Sequence, residues 1–535
     1  MKVSRTPAMV AGLVALGCAS GGSHPGPAPQ PAALPASQMA TSAASPSPIA
    51  VLRTSIDSLI ADSVFRNANW GILIVDPDRG DTLYSHNAGK LFMPASNMKV
   101  ITGSVALAQL GPNFQFHTTF VADGPVCDGT LHGDLIVNGR GDPSESDAMR
   151  GDALSAMRDI ADSLRAHGIN RVVGQVRNGF DAFPGPTFGY GWSWDDLDAS
   201  YSAGVDELFF NEGAARIVIH GAHKPGGKVS VAVLPTSRYP VVRVTAITEF
   251  PPESLAAGSG GRRRFTRLQG ELHASLDTLT GSVMLAGWIA PDAVDTMDVV
   301  YPDQNTAYLE ALRGAFGERG LAVQDVKERK RLGGCGHGAR ATAPVSDTLF
   351  TYLSPPLRDV LRAMAKPSQN QIAEILLRTL GLEKAGSGTA DSGIAVVRRQ
   401  LLAWNVQPDG FVQRDGSGLS RYDYLTPETL VRVLASIRKD TAFNAFYDAL
   451  PIAGVDGTIG NRMRDTPAQG NVHAKTGFVA NARSLSGYVT TADGHMLIFS
   501  ALCNNWTTSV REIERVQDAI AVDLASIRLG GAMTP

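Results

Sequence analysis

The chain has 535 residues, 44% of them apolar and 19% charged, too long for one compact domain and ample for a large buried core. Its 48 Lys and Arg against 51 Asp and Glu leave a formal net charge of −3, so it carries no basic footprint for nucleic-acid phosphate and no nucleic-acid partner is expected. Past one short run at the N-terminus no apolar stretch approaches the ~20 residues of a membrane-spanning helix.

At the N-terminus Lys2 and Arg5 precede an apolar run at 8–17, and Cys18 follows at once. A basic segment, a short apolar segment and small residues before a cleavage point read as a secretory signal over 1–18, which predicts a periplasmic or secreted protein. The box Ala15-Leu16-Gly17-Cys18 resembles that of bacterial lipoproteins, with Ala15 where Leu is usual. Two outcomes stay open, a lipidated Cys18 anchoring the protein to a membrane surface and ordinary cleavage. Residues 19–48 are dominated by Pro, Ala, Ser and Gly, with too little apolar surface to offset chain entropy, and are expected to form a disordered tether.

Two apolar runs, 70–76 and 82–85, flank the turn cluster 77–81 and predict a β-hairpin. Residues 96–110 carry apolar side chains at helical spacing up to Gly111-Pro112, predicting a core helix with Ser96 at its start. Short alternating runs then lie between Gly and Pro clusters, as at 134–139, 171–176 and 228–234. They predict a strand-rich insertion over 123–345, of one domain or two nested ones. Helical spacing returns at 357–364 and 372–380, strands at 483–489 and 495–500, and an amphipathic segment at 510–527. Strands at both ends around helices predict one α/β domain, 49–122 with 346–535, split by the insertion. Cys127 and Cys335 stand near the insertion's two ends as a candidate disulfide, and Cys503, in an apolar strand, is expected as a buried thiol.

Ser96-Asn97-Met98-Lys99 sets a hydroxyl and an amine three residues apart on one helix face. Serine is a poor nucleophile until a neighbour takes its proton, which lysine does once burial or nearby cations bring its pKa toward working pH. The pattern alone is common by chance. Here Ser368-Gln369-Asn370, ahead of a helical run, and Lys475-Thr476-Gly477, opening a strand, follow in order, and S-x-x-K, S-x-N, K-T-G is the signature set of penicillin-recognising serine enzymes. Together with Gly133-Asp-Leu-Ile-Val-Asn-Gly-Arg-Gly-Asp-Pro143, Arg414-Asp-Gly-Ser-Gly-Leu-Ser-Arg421 and Leu450-Pro-Ile-Ala-Gly-Val-Asp-Gly-Thr458, the chain resembles the D-alanyl-D-alanine carboxypeptidase/endopeptidase family. These are the class C low-molecular-mass penicillin-binding proteins, and the resemblance runs over about 49–528.

That resemblance implies a penicillin-binding/β-lactamase-like transpeptidase domain, an antiparallel sheet with helices, split by strand-rich insertions. It implies Ser96 as acyl-enzyme nucleophile, Lys99 as its general base and Ser368 as a proton relay to the departing amine. The implied substrate-binding set is Asn370, Lys475, Thr476, Gly477, Phe478 and Arg421, with Lys475 and Thr476 on the substrate carboxylate. The backbone N–H groups of Ser96 and Phe478 would form the oxyanion hole. For Arg421 a place facing the stem peptide and one lining a turn are both open, and Glu374 either tunes a lysine or lies on a helix surface. Two departures from the family's usual pattern stand out. Gln369 replaces a frequent Asp, and Phe478 replaces a frequent Thr or Ser, removing a hydroxyl and adding bulk beside the cavity. The implied partners are peptidoglycan peptides and β-lactams, with no metal or organic cofactor.

Rival readings are a serine β-lactamase and a catalytically idle wall-binding scaffold. The insertion and the segment 414–421 argue against the first. Retention of Ser96, Lys99, Ser368, Asn370 and Lys475 argues against the second. His220 and His223 lack the Cys or carboxylates that would complete a tetrahedral metal set and predict a surface turn, while Arg262-Arg-Arg264 predicts a solvated basic loop.

Overall fold

The structure, a computed structural model, describes residues 47–236, 238–250, 270–277, 279–324 and 347–530. The signal, Cys18, nearly all of the tether, Arg262-Arg-Arg264 and Cys335 lie outside the described residues. Helix α1 (Pro48–Ile60) leads into the predicted hairpin, β1 (Asn69–Asp76) and β2 (Asp81–His86). A 3-10 turn over Ala95–Asn97 then opens α2 (Met98–Leu110), buried from Met98 to Leu107 and stopped by Gly111 at φ +84°. Only glycine adopts that φ without strain, so the helix ends where the sequence predicts.

The insertion leaves through β3 (His117–Asp123), continuing into β4 (Asp134–Asn138). The run at 171–176, which reads as one strand, is split into β5 (Arg171–Val173) and β6 (Val176–Asn178) in different sheets. Between them Gly174 lies so close to the Gly133 carbonyl that a Cβ would stand 2.2 Å from it, and the chain turns there. Further on come β7 (Ala214–His220), β8 (Ser230–Leu234), the antiparallel pair β9 (Gly270–Asp277) and β10 (Ser282–Ile289), and β11 (Val294–Val300), with β7 central between β8 and β11.

The region is strand-rich, yet it also holds helices the turn clusters conceal, among them α3 (Ser155–Ala166) and α4 (Gln304–Glu318). Met157, Ile160, Ala161 and Leu164 recur at the helical period and face Ala311, Leu312 and Phe316 in a core of the insertion's own. The chain returns through β12 (Asp347–Leu353), which pairs with β3 in the sheet order β12-β3-β4-β6. Cys127 is disulfide-bonded.

Helices α5 (Leu357–Ala365), α6 (Asn370–Ala385), α7 (Ala390–Ala403) and α8 (Pro427–Ile437) follow, with a shorter helix over Phe443–Ala449 after them. The strands β13 (His473–Val479), β14 (Ala482–Thr490) and β15 (Met496–Asn504) then complete an antiparallel sheet in the order β2-β1-β15-β14-β13, and α9 (Val510–Ser526) ends the described chain's regular structure. Successive strand residues alternate between faces. Ile72 and Ile74 with Phe499, Ala501 and Cys503 pack against Ile513, Ile520 and Leu524 of α9, whereas Leu73, Ile498 and Leu502 face the cluster built on α2, α5, α6 and α8. Both sheet faces are thus covered, and each fully buried Leu or Ile contributes about 1.5–3 kcal/mol of burial. Cys503 is a free buried thiol, its pKa pushed up by burial.

Candidate active site

Ser96 sits in the 3-10 turn that opens α2, and three side-chain contacts hold that turn against the sheet. Asn97 Nδ2 donates to the Lys475 carbonyl at 2.9 Å, Ser484 Oγ donates to the Pro94 carbonyl at 2.7 Å, and Asn504 Oδ1 accepts the Met93 N–H at 2.8 Å. Ala95, just before Ser96, is held at φ +47°, a left-handed conformation that costs a non-glycine residue free energy and persists where the surroundings fix it. Gly477 makes the approach of β13 possible. A Cβ there would lie 2.2 Å from Ser484 Oγ and 2.9 Å from the Ser96 nitrogen.

One helical turn on, Lys99 Nζ is 2.9 Å from Ser96 Oγ, 2.6 Å from Asn370 Oδ1 and 2.9 Å from the Ser417 carbonyl. These are the three hydrogen bonds an ammonium can donate. Burial nevertheless lowers the Lys99 pKa to about 7, with Asp415 and Glu374 pulling the other way. Near neutral pH the amine therefore shares its time between charged and neutral forms, and the neutral form can accept the Ser96 proton. Lys475, buried on β13, reaches Ser368 Oγ at 2.8 Å and the Thr476 carbonyl at 2.9 Å. Burial first, then the charges of Lys99 and Arg483, hold its pKa well below the ordinary lysine range. Each serine of the motifs is thus paired with a lysine of lowered pKa.

Ser368 adopts φ +69° immediately before α6. Gln369 caps that helix by accepting the Ile372 N–H at 3.3 Å, and its side chain also bonds to Glu212 of the insertion. Asn370 bridges the two regions as well, with Oδ1 on Lys99 and Nδ2 donating to the Tyr201 carbonyl at 2.7 Å. Thr476 Oγ1 lies 2.7 Å from Thr458 Oγ1. Ser96, Ser368, Asn370, Arg421, Thr476 and Phe478 line one cleft of about 760 Å³, and Lys99 and Lys475 lie buried beneath it, in contact with the two serines. Arg421, for which two places were open, faces this cleft and donates from Nη1 to the Ala480 carbonyl at 3.0 Å. Phe478 is exposed at the rim with the Arg483 guanidinium 5.5 Å from its ring centre.

As the edge strand of its sheet, β13 turns one row of backbone groups away from β14. Ala474 donates its N–H away from β14, to the Pro451 carbonyl at 3.0 Å. With a period of two, the N–H groups of Thr476 and Phe478 point to that same open edge.

Glu374 does not lie on a helix surface. It is buried, accepts the Gly416 and Ser417 N–H groups at 3.0 and 2.8 Å, and is pushed up to about 7 by burial and by Asp415. Asp415 in turn accepts Gly418 N–H and Ser420 N–H, each at 2.7 Å, and the indole N–H of Trp192 at 3.0 Å. Trp192, Tyr201 and the cleft-lining Asp195 and Asp196 come from the insertion and were missed in the motif reading. The aromatic and acidic run Phe188-Gly-Tyr-Gly-Trp-Ser-Trp-Asp-Asp196 is the signal that marks Trp192, Asp195 and Asp196. Elsewhere His220 is exposed and His223 pairs with Asp292, and among the described residues neither joins a group of three metal-ligating side chains.

A family model described as D-Ala-D-Ala carboxypeptidase 3 (S13) matches residues 52–258 and 330–527. The D-alanyl-D-alanine carboxypeptidase of Actinomadura sp. (strain R39) is 32% identical over 499 residues, 91% of this chain and 86% of that protein. The D-alanyl-D-alanine carboxypeptidase DacB of Haemophilus influenzae is 26% identical over 447 residues, covering 82% of this chain and 86% of its own length. The crystal structure of penicillin-binding protein 4 (dacB) from Haemophilus influenzae shares the fold, with a TM-score of 0.72 at 23% identity over 88% of this chain and 99% of that one. With its three motifs gathered in one cleft, the chain belongs to the D-Ala-D-Ala carboxypeptidase 3 (S13) family of serine peptidases.

Proposed function

We propose that this enzyme cleaves the terminal D-Ala–D-Ala bond of peptidoglycan stem peptides, and D-Ala cross-links, through an ester on Ser96, and that β-lactams acylate the same serine. The observation that carries the residue assignment is the pairing of two serines with two buried lysines, Ser96 with Lys99 and Ser368 with Lys475, at 2.9 and 2.8 Å.

Neutral Lys99 takes the Ser96 proton as Oγ adds to the carbonyl carbon of the penultimate D-Ala. The oxyanion is held by the N–H groups of Ser96 and Phe478, a reading supported by the open edge of β13. The C–N bond then breaks, and Ser368, bonded to Lys475, passes a proton to the departing amine. Water cleaves the ester and regenerates Ser96. Asn370 holds a substrate amide, while Lys475, Thr476 and Arg421 supply positive charge and hydrogen bonds for the terminal carboxylate and the stem.

As a member of its family the enzyme works at the cell wall. The basic and apolar pattern of 1–18 supports export, with Cys18 as lipid anchor or as a removed residue. The division into a peptidase domain, 49–122 with 346–535, and an insertion, 123–345, is supported by a second core centred on the insertion, which β3 and β12 join as they pair at its two junctions.

Release of D-alanine from a stem pentapeptide tests the proposal. The wild type is expected to release it, and Ser96→Ala to lose all release that depends on the enzyme. Release by Ser96→Ala at the wild-type rate would refute the assignment.

A further inference from the structure

Exposed aromatic side chains are concentrated beside the cleft. Among the described residues eight aromatic rings are exposed, and all but Phe250 belong to the segment 180–201 or are Phe478, which lines the cleft, and Tyr422, which follows the cleft-lining Arg421. Apolar surface gathered in one place and left in water marks a surface that something covers. Trp194 is 80% exposed and Tyr190 66%. Trp194 stands between Ser193 and Asp195, both of which line the cleft.

The rings stand on a fixed backbone. Tyr190 leans on Tyr422 with ring centres 5.7 Å apart, and the Arg414 guanidinium lies 5.7 Å from the Tyr190 centre. Gly191, at φ +77°, presses so closely on Tyr422 that a Cβ would lie 2.3 Å from its ring. Between the two exposed rings Trp192 is pinned by its indole N–H to Asp415 and by the edge of Phe188. Asp415 is the carboxylate that also ties down the loop lining the cleft.

No aliphatic side chain occurs from Phe188 to Asp196, where rings alternate with glycine, serine and aspartate. Such a surface offers rings and polar groups with no aliphatic side chain among them. Flat rings beside carboxylates and hydroxyls suit a ligand with apolar C–H faces and a rim of hydroxyl and amide groups, which is the chemistry of an acetamido-pyranose. The stem peptide is covalently joined to a strand of such sugars.

We propose that Tyr190 and Trp194 form a sugar-binding platform that takes the glycan to which the stem peptide is attached, so that the enzyme acts better on peptide still carried by sugar. This rests on the peptidoglycan reading above. The experiment compares kcat/KM for D-alanine release from a free stem pentapeptide with that from the same peptide carrying its acetylated disaccharide, in the wild type and in a Tyr190→Ala/Trp194→Ala double variant. The wild type is expected to prefer the disaccharide form by about tenfold and the double variant to lose that preference, with free-peptide turnover and penicillin acylation kept within about twofold. Equal kcat/KM for the two substrates in the wild type overturns the platform, as does a preference the double variant keeps, or an equal fall on both substrates.

Peptide-free disaccharide titrated against tryptophan fluorescence decides the platform independently of turnover. Quenching in the wild type that Trp194→Ala lacks supports it, and absence of quenching at millimolar sugar counts against it. Failure of the wild type to cleave either peptide or to bind penicillin would strike the peptidase reading, and the titration would still judge the platform.

Discussion

Glu374 accepts the Ser417 N–H at 2.8 Å while the Ser417 carbonyl accepts Lys99 Nζ at 2.9 Å. A buried carboxylate thus aims the oxygen that faces Lys99 Nζ, and its charge favours the ammonium form against the burial that lowers Lys99 to about 7. Glu374→Gln keeps an acceptor and removes the charge. With less to hold its proton, Lys99 becomes neutral at lower pH, so the acid limb of penicillin acylation should shift to lower pH than in the wild type. The second-order acylation rate followed from pH 5 to pH 9 measures it, and an unmoved limb would contradict the coupling.

Lys99→Ala removes the base while leaving Ser96 in its turn. General-base assistance is worth about 10²–10⁴ in rate, and acylation should fall by that order with the folded state retained. A loss under tenfold, measured by stopped-flow with a chromogenic penicillin or cephalosporin, would assign the proton to another group.

Gly477→Ala tests the close approach of β13 to the nucleophile turn. The new methyl would meet Ser484 Oγ at 2.2 Å and the Pro94 carbonyl at 2.6 Å, so strand and turn must separate. Overpacking of this kind costs about 1–3 kcal/mol. Denaturant unfolding should show that loss, and acylation should fall far more than stability does because Ser96 moves relative to Phe478.

Phe478→Thr removes a ring from the cleft rim and places a hydroxyl in the cleft beside Thr476. Phe478 is 56% exposed, so stability should change little. A hydrogen bond to a charged group is worth about 1.5–3 kcal/mol, and penicillin acylation is expected to rise at least several-fold. An unchanged or lower rate would show that the ring does not limit access.

The motif residues are legible because their relation is local or tied to element starts. Ser96 and Lys99 are one turn apart at a helix opening, Ser368 and Asn370 flank the next, and Lys475 opens an edge strand. The strand and helix periods of the peptidase part follow from apolar runs buried on both faces of one sheet. Glu374 is ambiguous from its helix position alone, because its burial comes from the loop 414–421 packing on α6, about forty residues further along the chain. The run 188–196 stands out by composition, but the partners of Trp192 and Tyr201 are invisible to local patterning for a related reason. Their segment leaves the insertion's core to meet Asp415 and Asn370, contacts separated by 223 and 169 residues in sequence. Helices α3 and α4 are hidden by the Gly and Pro clusters around them, although Met157, Ile160 and Leu164 carry the helical period.

The most direct test of the account is mapping of a penicillin adduct on the protein by peptide mass analysis, with Ser96→Ala as control. The account predicts one slowly released ester on the peptide containing Ser96, absent from the variant. An adduct on another residue, or rapid hydrolysis of penicillin with no accumulated ester, would contradict it.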